Sequence, residues 1–328
     1  MKRAGNLMEK ICTLDNLYLA FYKASRGKRN DKTVVDYRNN LHGNIACLQK
    51  QLLHGGLSIG NYHYFTIYDP KIRLICAADF SERVVHHALM NVCHYYFERQ
   101  LIYDTYATRP QKGIYEALER AKRSMIVYPY VAKLDVRKYF DSIAHDILLD
   151  KLQHIFKDIK LLQIFKQIFN SYHVEEKSGI PIGNLTSQYF ANFYLSELDH
   201  FAKETLNIGG YYRYMDDILI FGDEKDELHN KITLLIEKAK YELRLSFKPH
   251  VITATKNGIS FLGYKLFPHK ILLNHTSKKR FMKNVQKINR YPCNETVVRS
   301  KLIAYLAFAK HAYSKKVRKK VLRFMDMY

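Results

Sequence analysis

Apolar positions follow a helical period through the first third of the chain and then change rhythm. Over residues 13–28, Leu14, Leu17, Tyr18 and Phe21 share one helical face, with Thr13 or Asp15 as cap and Gly27 as stop. A second helix is predicted over 34–53, ending at Gly55-Gly56. Residues 62–68 and 72–77 read as two short strands around Asp69-Pro70, a hairpin that carries Lys71 and Arg73. Helical spacing returns over 82–99 and 113–125, so residues 1–130 are expected to form a mainly α lobe with one β-hairpin. From there strands and helices mix: a strand over 130–136, helices over 145–170 and 186–205, and a strand pair over 211–221 interrupted by acids. A helix near 224–243 and strands over 247–254, 259–266 and 270–273 complete an α+β segment. Residues 295–312 and 314–325 are again helical.

Composition sharpens this picture in one respect. The 328 residues are 47% hydrophobic, enough to bury a sizeable core, yet 53 Lys and Arg against 31 Asp and Glu leave a formal charge of +22. A polyanionic partner explains that excess better than solubility does, and nucleic acid is the first candidate. An anionic membrane surface is second. No run approaches the ~18 apolar residues of a membrane span, and no secretory signal is evident, so a cytoplasmic protein without membrane association is expected. The five cysteines, Cys12, Cys47, Cys76, Cys93 and Cys293, are far apart with no C-x-x-C pair, and read as reduced, mostly packed thiols. The basic bias is steepest in residues 276–328, with 15 Lys and Arg and only Glu295 and Asp326 as acids. Lys278, Lys279 and Arg280 open that segment and are candidates for tracking a nucleic-acid backbone.

The candidate chemistry is acidic. In 211–221 the adjacent Asp216 and Asp217 lie between two β-prone apolar runs, which places them on a hairpin tip. Adjacent aspartates alone are more often a solvated turn. What alters the reading is Asp135, about 80 residues earlier, at the end of another apolar strand. Two neighbouring strands would bring three carboxylates together, and such a cluster repels itself unless cations sit among them. Magnesium, with its preference for carboxylate, phosphate and water oxygens, is the natural occupant, as a pair of Mg²⁺ ions with Mn²⁺ as substitute. Two such ions serve in-line phosphoryl transfer, which needs no side-chain nucleophile.

These residues carry a resemblance. Tyr214-Met215-Asp216-Asp217 is similar to the fingerprint of reverse transcriptases, and residues 134–141 (LDVRKYFD) resemble their first metal-binding motif in its bacterial form. Residues 179–192 (GIPIGNLTSQYFAN) resemble the template- and nucleotide-contacting loop and helix, and 258–264 (GISFLGY) the primer-grip hairpin, with Gly263 in it. The resemblance implies an α+β right hand: fingers over 1–130, palm over 131–275 and a basic helical thumb over 276–328. It also implies that Asp135, Asp216 and Asp217 hold metal, that Phe140 is the steric gate against a 2′-hydroxyl, and that amides around Lys138 and Tyr139 hold triphosphate oxygens. Ile180, Ile182, Gly183 and Gln188 would then lie at the incoming nucleotide, Lys71 and Arg73 at its phosphates, and Tyr214 and Met215 at the primer. Lys248 is a candidate general acid for pyrophosphate, although its surroundings depart from the commoner pattern. Arg109 and Lys112 resemble a template-side segment; a structural role joining fingers to palm is the equal alternative.

Ser187-Gln188, where intron and retron enzymes usually have Ser-Pro, in a chain this short, resembles the reverse transcriptases of diversity-generating retroelements. That narrower resemblance implies error-prone copying of a template-repeat RNA, with errors opposite adenines, and a small basic oligomeric accessory protein as partner. It also implies a bacterial or phage source. Ile182 stands where retroviral relatives place Gln, and losing that amide contact, worth roughly 0.5–1.5 kcal/mol, is one physical account of relaxed discrimination; ordinary loop packing is the other. Two rivals stand beside this reading: another bacterial reverse transcriptase, intron-derived or recruited to phage defence, and a catalytically idle nucleic-acid-binding scaffold.

Overall fold

The computed structural model describes residues 3–68, 72–174, 176–290, 295–315, 318 and 319. In chain order the elements begin with helices α1 (Leu7–Ile11), α2 (Leu14–Ser25), α3 (Lys32–Asn39) and α4 (Leu41–His54), then strands β1 (Tyr62–Ile67) and β2 (Arg73–Ala78). Helices α5 (Phe80–Glu98) and α6 (Ile114–Val127) lead to strand β3 (Tyr130–Asp135), followed by α7 (His145–Ile155), α8 (Ile159–Asn170), α9 (Leu185–Tyr194) and α10 (Ser196–His200). Strands β4 (Tyr211–Tyr214) and β5 (Asp217–Gly222) precede α11 (Lys225–Leu243), and four short strands follow: β6 (Ile252–Ala254), β7 (Ile259–Phe261), β8 (Tyr264–Leu266) and β9 (Ile271–Leu273). Helices α12 (His275–Arg290) and α13 (Glu295–Lys310) end the described fold.

Contacts gather the chain into two compact units, each assembled from separated stretches: Met1–Ile102, Arg137–His200 and Glu237–Ser246 in the first, Tyr103–Val136, Phe201–Ile236 and Phe247–Tyr328 in the second. The expected fingers, palm and thumb are consecutive segments of sequence, whereas each contact-based unit draws on stretches far apart in it.

The first unit is helical around one hairpin. Antiparallel β1 and β2 pair from Tyr62 opposite Ala78 to Ile67 opposite Arg73; the turn at 69–71, with Lys71, lies outside the described residues. The core is aromatic: Phe97 on α5 meets Phe156, Phe165, Phe190 and Phe193 with ring centroids 5.5–6.3 Å apart. Such pairs add about 0.5–1.5 kcal/mol each beyond the area they bury. Two helices expected as single rods are divided, each for a local reason. The 34–53 helix breaks at Asn40, whose φ of −124° and ψ of 48° leave the helical region. The 145–170 helix breaks at 156–158 because Asp158 is a shared cap. One carboxylate oxygen accepts from the Leu161 amide at the start of α8, and the other accepts from the Leu7 and Met8 amides at the start of α1.

The second unit holds a four-stranded antiparallel sheet in the order β4-β5-β3-β6. Helix α6 covers one side of it, burying Ala117, Leu118, Ala121 and Met125 against Val131, Tyr212, Leu219 and Phe221. A three-stranded sheet, β7-β8-β9, packs into the same core through Phe261, Tyr264, Leu266 and Ile271. Its β7–β8 turn is Leu262-Gly263, both at positive φ (48° and 88°), the backbone a two-residue hairpin requires. Phe281 and Val285 of α12 meet Val298, Leu302 and Ala309 of α13. Helix α12 adds to the helices expected from sequence, α13 falls within the expected 295–312, and the second expected thumb helix, 314–325, lies mostly outside the described residues. Among the described cysteines Cys12, Cys76 and Cys93 are buried and Cys47 exposed, all free; Cys293 lies outside the described residues. Among the described residues no helix is long and apolar enough to cross a membrane.

Candidate active site

Strand register brings the acids together within the second unit. On antiparallel β3 and β5, Asp135 is directly opposite Asp217, so both side chains leave the same face of the sheet. Asp216 sits beside them in the two-residue turn between β4 and β5, where Tyr214 pairs with Asp217. A turn this short normally recruits Gly or Asn, because it needs left-handed backbone. Here Met215 takes that conformation, at φ 52°, and Arg213 supports it from below: the guanidinium is fully buried and donates to the Met215 carbonyl at 3.2 Å.

Each facing carboxylate holds an ammonium. Lys133 Nζ lies 2.6 Å from Asp217 Oδ1, and Lys248 Nζ donates to Asp135 Oδ1. Lys248 is placed by its backbone as well, since its amide donates to the Asp135 carbonyl at 2.9 Å. Among the described residues no three His, Cys, Asp or Glu side chains stand grouped as a ready coordination shell, and each of the two facing acids is paired with a lysine. The donor set nevertheless fits a divalent ion of the magnesium type by its chemistry. It is all carboxylate oxygen, on adjoining positions, and it already gathers compensating positive charge.

The other expected second-unit residues have defined places. Arg109 donates to the Thr105 carbonyl and hydroxyl (2.9 and 2.6 Å) and to the Tyr103 carbonyl, and Lys112 donates to the Tyr103 carbonyl and lies 3.2 Å over the Tyr103 ring. Both fasten the 103–113 loop to itself. Gly263 occupies the β7–β8 turn, and its carbonyl accepts from the Asn274 amide. Lys278 and Lys279 are exposed on α12 and Arg280 is half-buried.

The expected nucleotide-side residues are in the first unit. Lys138, at φ 43°, starts a 3₁₀ turn over Tyr139–Ser142. Tyr139 is buried with its hydroxyl donating to the Ala191 carbonyl, which leaves its backbone, rather than its ring, for the turn. Phe140 is half-buried, and its carbonyl accepts from the Ile180 amide at 3.0 Å. Ile180 is completely buried, so its side chain acts on this turn only through the backbone it anchors. Burial raises the Asp141 carboxyl, with Lys138 opposing. Arg73 is exposed on β2.

The 179–192 loop is tied to the hairpin: the Cys76 amide donates to the Ile182 carbonyl at 2.8 Å. At Gly183 the φ is 130°, and a Cβ would stand 2.6 Å from the Cys76 carbonyl oxygen. Only glycine fits that approach. Gly183→Ala is expected to cost about 1–3 kcal/mol and to push the loop off β2, measured as a lower melting temperature with faster amide exchange at 182–185; an unchanged melt would show that β2 yields freely. Gly183 and Gln188 also border a cavity of about 310 Å³ with Phe65, Ile75, Arg83 and His87. Burial, then the charges of His86, Lys23 and Arg83, pushes His87 down to about 4, so it is neutral at ordinary pH. Sequence reasoning assigned nothing to Arg83, His87, Arg213 or Lys133. Arg213 immediately precedes the fingerprint, where a charged residue flanked by tyrosines in a β-prone run was the available signal.

A family profile described as reverse transcriptase (RNA-dependent DNA polymerase) matches residues 68–266, well over half of the chain. The chain belongs to the reverse transcriptase family. Among proteins similar to this reverse transcriptase, the group II intron-encoded protein LtrA of Lactococcus lactis subsp. cremoris is 26% identical over 140 residues, 41% of this chain and 23% of that protein. The retron Ec73 reverse transcriptase of Escherichia coli is 28% identical over 218 residues, 58% of this chain and 66% of that one. Protein YkfC of Escherichia coli K12 is 20% identical over 272 residues, 67% and 71% of the two chains. The chain thus spans about a quarter of the intron-encoded relative's length. In fold it resembles the apo telomerase of Candida tropicalis, with a TM-score of 0.51 at 11% identity over 79% of this chain and 59% of that one. The right-hand α+β polymerase fold expected from sequence agrees with that likeness.

Proposed function

We propose that the protein is an RNA-directed DNA polymerase that extends a primer along an RNA template from deoxynucleoside triphosphates, with Asp135, Asp216 and Asp217 as ligands of two Mg²⁺ ions. The observation that carries this reading is the register of β3 and β5, which sets Asp135 opposite Asp217 beside the Asp216 turn. Metal bound there would activate the primer 3′-hydroxyl and stabilise the leaving pyrophosphate. The chain's own groups do the rest. Lys248 Nζ, held at Asp135, is the candidate proton donor to the pyrophosphate oxygen. Arg73 offers a guanidinium to the triphosphate, and the amides of the 138–140 turn offer uncharged donors. Lys278, Lys279 and Arg280 serve backbone contact in a thumb at 276–328, with 1–130 as fingers and 131–275 as palm. The decisive assay is primer extension on a defined RNA with Mg²⁺; a chain that binds template-primer but incorporates nothing would be a scaffold.

Phe140 is proposed as the gate against ribonucleotides. Phe140→Ala should raise ribonucleotide incorporation relative to deoxynucleotide at least ~10-fold, a loss of discrimination of about 1.4 kcal/mol. Unchanged kcat/KM ratios would make Phe140 a packing residue.

The finer assignment, to a diversity-generating retroelement with a template-repeat RNA and a small basic accessory protein, rests on Ser187-Gln188 and on Ile182. Similarity to intron-encoded and retron proteins supports the second reading, another bacterial reverse transcriptase. Sequencing cDNA made on an RNA containing all four bases separates them: errors concentrated opposite adenine favour the first, evenly low errors the second. On the first reading, Ile182→Gln lowers misincorporation several-fold, the equivalent of roughly 0.5–1.5 kcal/mol of regained contact.

A further inference from the structure

The lysine paired with Asp217 has no part in the function proposed above, and strand geometry fixes its place. Lys133 stands two residues before Asp135 on β3, so the two side chains share a face. Its own register partner is Leu219, two residues beyond Asp217 on β5. A diagonal of that kind spans ~7–8 Å between backbones, which a lysine stem crosses, and the ammonium closes to 2.6 Å on Asp217 Oδ1. Both partners are mostly shielded, at 28% and 26% exposure. With Lys248 on Asp135, two ammoniums stand against three carboxylates, where bare acids on adjoining positions would repel one another.

We propose that Lys133 is a built-in counter-cation, which holds Asp217 in the metal-free protein and competes with a divalent ion for that carboxylate. The inference rests on the reading of Asp217 as a metal ligand. An ammonium on a flexible four-carbon stem suits the task, because it can turn to solvent and rehydrate when displaced. A guanidinium fork gripping the carboxylate at two points would be slower to yield. The consequence is a site that is stable when empty and binds metal weakly alone. Full loading then waits for the phosphates of the nucleotide, which supply the missing oxygen ligands.

The test is Mn²⁺ binding to the full chain, without nucleotide or nucleic acid, followed by the electron paramagnetic resonance signal of the free ion. Wild type, Lys133→Met, Lys133→Gln, Lys133→Arg and Asp217→Asn are compared, with thermal melting in chelator alongside. Both neutral variants should bind Mn²⁺ roughly three- to tenfold tighter, as expected for removing one like charge a few ångströms from the ion in a partly solvated site. Both should also melt lower in chelator and regain the loss with Mn²⁺, while Lys133→Arg should not bind tighter than wild type. Equal affinity in wild type and the neutral variants, with Asp217→Asn binding more weakly, would overturn the counter-cation and leave Asp217 a ligand. Unchanged affinity in Asp217→Asn would remove the ligand reading itself, and this inference with it.

Discussion

Asp135→Asn is expected to reduce primer extension by at least ~10³-fold while leaving template-primer binding and melting temperature nearly unchanged. The large term is electrostatic. In phosphoryl transfer, positioning and charge neutralisation supply most of the rate, and a neutral amide cannot hold the cation that does the neutralising. The small term is structural. Asn keeps the size and shape of Asp135, whose backbone carbonyl still accepts from the Lys248 amide. The bond lost is an ion pair to a lysine that is 45% exposed, and pairs so open to water contribute about 0–1 kcal/mol. Lys248 therefore rehydrates at little cost. Asp216→Asn should behave alike. The measurement is single-turnover extension on an RNA template beside a binding titration and a thermal melt. Activity within tenfold of wild type would mean that Asp135 is no ligand, and a collapse of the melt would mean that the loss reports folding.

The elements that surround these acids were legible because their signals are local. A β-prone run ending in Asp135, and two more flanking Asp216-Asp217, announce strands and a turn without reference to the rest of the chain. Register is a different matter. Nothing in the order of residues states that Asp135 faces Asp217 and not Leu219, and a slip of two would have kept every buried side chain buried. The same blindness hid Lys133, which reads as one more surface charge until the diagonal to Asp217 is known. Ile180 shows the converse. The motif placed it at the nucleotide, but burial is a property of the packed chain, and its side chain is in the core. Helix breaks at Asn40 and at 156–158 were missed because their causes are backbone conformation and a carboxylate shared with a distant helix. Helix α12 was missed because lysines and arginines dilute its apolar stripe. The two-unit division could not be read at all, since each unit is assembled from stretches far apart in sequence.

Arg213→Ala carries the largest expected loss of stability, roughly 3–5 kcal/mol, from a total that for most proteins is only about 5–15. Three terms decide the sign. Truncating a fully buried arginine opens a large void on the strand face it shares with Tyr211, itself buried. It also leaves the Met215 carbonyl without its donor, an unsatisfied group that costs about 1–3 kcal/mol. Against these, burying a guanidinium is itself expensive, and its removal returns part of that desolvation. The void and the orphaned carbonyl are expected to outweigh the return, because the cavity is bordered by sheet backbone: Arg213 is bridged to Thr105 and paired with Ile218, and neither neighbour can collapse inward without breaking register. Arg213→Met separates the terms. It refills most of the void without a charge, so it should recover much of the stability while still leaving Met215 in a left-handed conformation with no support. In that variant the melt should be close to wild type, yet extension should fall steeply, because the turn that presents Asp216 is no longer held. The discriminating measurement is amide exchange at residues 214–217 in both variants. Slow exchange there in Arg213→Met, with full activity, would show that the turn holds its shape unaided and that Arg213 serves packing alone.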